Sequence, residues 1–140
     1  MAIRPQELES IAPMIATFKI SQTAGVDDLK DADIGKALTI SANVTVSPCG
    51  AGDVLLGKLL ALTLTDADDG DRVASVQVGG ICRLPISGTA PVVGNRVLGA
   101  ANGTVTQAPL LAGDDPAGGN VARGTTLEVN GTTDCLVLLN

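Results

Sequence analysis

The stretch DDGDRVASVQVGGICRLPIS, residues 68–87, decides how the rest of the chain is read. An acidic Gly turn leads into an alternating run of Ala74, Val76 and Val78. Gly79-Gly80 interrupts it, and a second alternating run of Cys82, Leu84 and Ile86 follows around Pro85. Apolar residues at every second position mark a strand with one face in the core. The stretch therefore predicts two short strands, and the paired glycines, lacking Cβ, allow a bulge or tight bend between them.

The same period extends outward. In ALTISANVTV, residues 37–46, Leu38, Ile40, Ala42, Val44 and Val46 alternate with Thr39, Ser41, Asn43 and Thr45, which predicts one half-buried strand. SPCGAGD punctuates, LLALTLT places Leu60, Leu62 and Leu64 on one face, and ADDGD turns the chain. Downstream, NRVLGAANGTVTQ predicts a hairpin about Asn102-Gly103, and TTLEVNGTTDCLVLLN a last hairpin about Asn130-Gly131. SGTAPVVGN and APLLAGDDPAGGN are turn-rich connections. Turn signals recurring about every ten residues, with no helical period after residue 36, predict an all-β fold. The expected architecture is a small β-barrel or sandwich of short antiparallel strands with an extended N-terminal arm.

Residues 1–36 differ in character. They hold Met1, Met14 and the sole aromatic, Phe18, and 10 of the 24 charged side chains. RPQELESIAP predicts a short helix with Pro5 in its first turn and Pro13 limiting it. MIATFKIS alternates, and VDDLKDADIGK reads as a charged turn or a one-turn helix. The expected division is an arm over 1–36 and a β-rich domain over 37–140.

Composition narrows the function classes. The chain has 140 residues, the length of one domain, and 45% of them are apolar. With one aromatic, the core must consist of Val, Leu, Ile and Ala, which is thin burial and favours self-association. A net charge of −6 with scattered Lys and Arg excludes a nucleic-acid surface. The start, MAIRPQELES, has no apolar core of a leader, and no run approaches the roughly 20 apolar residues of a membrane span. A soluble protein made in the cytosol, with no membrane partner, is expected.

Chemistry is sparse. Cys49, Cys82 and Cys135 are odd in number and widely spaced, as buried apolar thiols are, and the sequence has no His to activate one. DADDGD, residues 66–71, resembles a calcium loop, but Gly falls one place early and the closing Glu is replaced by Val or Gln, so a solvated acidic turn is expected. Asn43, Asn102 and Asn130 each begin a glycosylation sequon, and the last two are better explained as turns. The Gly-rich pieces GAGD and GDDPAGGN lack the Lys of a phosphate loop, and no Ser stands in a GxSxG elbow. No catalytic residue, metal or cofactor is expected. The chain reads as a scaffold whose surfaces do the work.

The order of DGDRVASVQVGGICRLPIS, VVGNRVLGAANGTVTQ and ARGTTLEVNGTTDCLVLLN resembles the capsid decoration, or cement, proteins of tailed phages over about residues 36–140. The resemblance implies a β-rich, often trimeric head protein on the outer surface of an expanded capsid, with the major capsid protein and itself as partners. It further implies an N-terminal arm ordered on the capsid. Residues 1–36 match that arm by position, though they are longer and more charged, and GDDPAGGN is an insertion. The candidate contacts are Ile3, Leu8, Ile11, Met14, Ile15 and Phe18, which on a bland reading only cap the barrel's open end. The alternative functions are a ligand- or carbohydrate-binding β-module, disfavoured by the want of aromatic platforms, and a hydrolase built on paired carboxylates.

Overall fold

In a computed structural model, which describes residues 13–63, 72–109 and 122–140, the deciding stretch forms one long strand rather than two. Eleven strands succeed one another among the described residues: β1 Met14–Ile20, β2 Gln22–Thr23, β3 Val26–Asp27, β4 Ala37–Ala42, β5 Thr45–Pro48, β6 Gly57–Leu62, β7 Val73–Pro85, β8 Val97–Ala100, β9 Thr104–Gln107, β10 Thr125–Asn130 and β11 Asp134–Leu139. One 3-10 turn, Asp31–Asp33, interrupts them, and the described residues contain no α-helix. The fold is all-β, as expected.

Seven strands form a sheet in the order β1-β5-β4-β6-β7-β11-β10, and a further β1–β7 pairing closes the first five into a barrel. Strand β7 belongs to two neighbourhoods. From Val73 to Gly79 it pairs with β1, and from Ala74 to Gln77 also with β6; from Gly80 to Pro85 it pairs with β11. Gly80 has φ 84°, a left-handed conformation that glycine adopts without Cβ strain. The buried Gln77 amide spans the change, its Nε2 donating to the carbonyls of Gly79 and Ile81, each at 3.1 Å. The paired glycines thus mark a change of partner, not a break.

Each half of β7 lines its own core. Ile20, Leu29, Leu38, Val46, Leu59, Ala74 and Val76 fill the barrel, with Phe18, Leu56, Leu62 and Val78 packed against them. Beyond Gly80, Cys82, Leu84 and Ile86 join Val97 and Val105 of the β8–β9 hairpin and Cys135, Val137 and Leu139 of β11. Strand β4 feeds both, Ala37 into the second core and Leu38 into the first.

Three expectations are corrected. ALTISANVTV is a hairpin, with Ala42 opposite Thr45 and the turn at Asn43-Val44, so Ile40 and Val44 are exposed rather than core. In β6 the register shifts between Leu59 and Ala61, an extra residue that buries Leu59 and leaves Leu60 half-buried; Leu64 lies outside the described residues. The reading of 1–36 as an arm separate from the core fails for its described part. Strand β1 is a barrel wall, Ile20 is buried, and Leu29 is fully buried in the barrel core. The charged stretch after it does make a single turn, at Asp31–Asp33. The hairpins at Asn102-Gly103 and Asn130-Gly131 form as expected. The helix expected over RPQELESIAP and the DADDGD turn lie outside the described residues, as does most of APLLAGDDPAGGN.

Candidate functional surface

The barrel's ladders run short at one end. Strand β6 pairs with β4 only at Ala37 and Leu38, and β5 pairs with β1 only at Lys19 and Ile20. Thr39–Ala42 of β4 and residues 14–18 of β1 overhang these pairings. Because β1 runs parallel to β5 and β4 antiparallel to it, both overhangs project toward the Asn43-Val44 turn. They bound an open end together with the approach to β6.

Exposed large apolar side chains occur on these overhangs and at the turn. Met14, Ile15 and Val44 expose 64%, 55% and 60% of their surface, and Ile40 and Val54 lie half-exposed nearby. Met14 pairs opposite Gly79, its Cβ 3.1 Å from where a side chain on that glycine would begin, so the glycine makes room for the strand entry. Of the candidate contacts, Met14 and Ile15 sit on the open end. Phe18 is half-buried and packs against the barrel core. Ile3, Leu8 and Ile11 lie outside the described residues.

Beside the open end is a cleft of about 500 Å³, lined by Thr39, Ile40, residues 52–56 and Arg123. Residue-level reasoning missed Arg123. Its Nη1 donates to the carbonyl of Leu55 at 3.1 Å and to that of Leu56, and its Nη2 donates to the carbonyl of Val78 at 2.7 Å. The side chain pins the approach to β6 onto β7. Burial holds its pKa below the usual arginine value, and it forms no ion pair among the described residues. Asp53, across the cleft, is occupied with its own turn, accepting the Gly50 N–H at 2.7 Å.

Several other polar groups are engaged within the fold. Asp28 accepts Ser21 Oγ at 2.6 Å and Thr23 Oγ1 at 2.7 Å, and these bonds hold its pKa below the ordinary carboxylate value. Arg83 straps β7 to β11 through Asp134 at 2.8 Å. Cys49, Cys82 and Cys135 are buried in the second core, as expected for apolar thiols, and burial pushes Cys49 and Cys135 up to about 12. Among the described residues no group of three or more His, Cys, Asp and Glu could hold a metal ion. All three sequon asparagines lie at hairpin turns, Asn43 included. Among the described residues no helix is long and apolar enough to cross a membrane.

The arrangement is suited to binding: an aliphatic rim, an overhanging strand edge and one half-buried cation. Comparisons with protein-family models, with curated proteins and with solved structures find no match to this chain.

Proposed function

We propose that this chain is a structural subunit that decorates the outside of an expanded tailed-phage capsid as a homotrimer and ties neighbouring capsomers together. The observation that carries the reading is the exposed aliphatic group Met14, Ile15 and Val44 at the open end of the barrel. Large apolar side chains left exposed on an unpaired rim are candidates for an interaction surface. Their place at the root of the N-terminal segment agrees with the resemblance, in which that segment meets the capsid protein. A subunit that binds only the assembled shell stabilises that state by preferential binding, and three copies acting together add avidity. Such a role requires no active site.

The test is cosedimentation of the purified protein with expanded shells of the cognate phage. The intact chain is expected to pellet with shells. The Met14→Ser, Ile15→Ser, Val44→Ser variant should keep its circular dichroism spectrum and bind about tenfold or more weakly, as for an interface centre. Failure of the intact chain to bind shells, or undiminished binding by the folded triple variant, overturns the reading.

A further inference from the structure

Two hairpin turns carry the same tripeptide, Asn-Gly-Thr, at residues 102–104 and 130–132, and the fold treats them differently. Asparagine before glycine is chemically labile, because the glycine nitrogen, with no side chain to crowd it, can approach the asparagine side-chain carbonyl. At the β8–β9 hairpin that nitrogen is engaged. Gly103 is buried, its N–H donates to the Cys49 carbonyl at 2.9 Å, and its own carbonyl accepts the Ala37 N–H at 2.7 Å. To react, this peptide must first open locally, and the cost of opening slows chemistry at the group. At the β10–β11 hairpin residues 130–133 are all exposed. Gly131 has φ 56°, and nothing beyond its chain neighbours lies within 4 Å of where a side chain would begin. The turn is closed by Thr133 N–H on the Asn130 carbonyl at 3.0 Å, a bond that leaves the Gly131 nitrogen out. Asn43, at the β4–β5 turn, precedes Val44, whose branched side chain crowds the attacking nitrogen.

We infer that Asn130 is a self-modification site, at which the Gly131 nitrogen converts the asparagine to aspartyl and isoaspartyl forms, while the fold holds the identical tripeptide at Asn102 unreactive. The Gly131 nitrogen attacks Cγ of Asn130, a new C–N bond forms, and the Cγ–Nδ2 bond breaks. Ammonia leaves with the proton that the Gly131 nitrogen gives up. Water then opens the cyclic imide at either carbonyl, so the net change is one water in and one ammonia out, with no redox step. The product alters the hairpin. Asn130 pairs opposite Asp134, which Arg83 already holds at 2.8 Å. A carboxylate at position 130 sets like charges opposite each other, and the isoaspartyl form adds a backbone carbon to the turn. Both loosen the pairing of β10 with β11. Strand β10 ends the order of the seven-stranded sheet, so the change falls on that edge and away from the barrel. The inference does not rest on the proposed function, since it uses neither the open end nor a partner.

The test incubates the full-length chain at mildly alkaline pH in water labelled with heavy oxygen, either folded or unfolded in urea, and follows its peptides by mass spectrometry. In the folded chain Asn130 is expected to take up label at least about tenfold faster than Asn102, as the cost of giving up a buried hydrogen bond implies. In urea the two tripeptides lose their different surroundings, and their rates should converge. Equal rates in the folded chain, faster conversion at Asn102, label entering Asn130 only after unfolding, or a difference that persists undiminished in urea overturns the inference.

Discussion

Val44 holds a β-branched side chain at φ 52°, in the left-handed region, while exposing 60% of its surface at the tip of the β4–β5 turn. Such a conformation costs on the order of 1–2 kcal/mol, and strain of this kind persists at positions kept for another reason. On the proposed function that reason is contact with the shell. Val44→Gly is therefore expected to raise stability by about 1 kcal/mol in urea unfolding while weakening cosedimentation, a trade of binding against stability. A variant both less stable and fully able to bind would contradict this. The tight site is the opposite case. A side chain at Gly57 would collide with the Gln77 carbonyl oxygen, so Gly57→Ala must push β6 off β7. A loss of about 3 kcal/mol is expected in the same measurement, at the upper end of overpacking costs.

At the scale of elements, the β2–β3 hairpin is latched to the end of β1 by Asp28. Its carboxylate is bound by two hydroxyls and so ionises more readily folded than unfolded. A depressed pKa contributes stability above the unfolded value near 3.9, and that contribution is lost as pH falls through the folded value. Asp28→Asn is expected to flatten the fall in stability below about pH 4, and an unchanged acid limb would remove the latch. How much of this could be read from residues alone depends on whether a residue's own chemistry demands its conformation. Asn102-Gly103 accepts φ of 60° and 72° readily and was legible as a turn. Asn43-Val44 was not, because Val opposes the conformation it adopts and perfect alternation continues through it. The β6 bulge was hidden for a different reason: Leu59, Leu60 and Leu62 are chemically alike, and only pairing to β7 shows which of them faces inward. Arg123 is the extreme case, a single cation after a Gly-rich stretch of sequence, whose carbonyl acceptors lie 45, 67 and 68 residues away.

For the whole molecule, the two cores share β7 and β4, so neither can melt without exposing a wall of the other. A single cooperative transition is expected in calorimetry, and two resolved transitions would show that the cores are independent. Truncation distinguishes the N-terminal pieces. Removing residues 1–20 takes away β1 and the buried Ile20, and should abolish folding. Removing residues 1–12 leaves every described contact of the barrel in place. The hoop is also unevenly fastened. On one flank β1 is sewn to β7 by six residue pairs, whereas on the other it meets β5 through two, with Lys19 N–H on the Val44 carbonyl and Ser21 N–H on that of Val46. Thermal motion is expected to part the ring at this clasp or at the equally short β4–β6 joint. A parted ring keeps its first strand attached and offers a fresh hydrogen-bonding margin to any incoming backbone, without the remainder having to come undone.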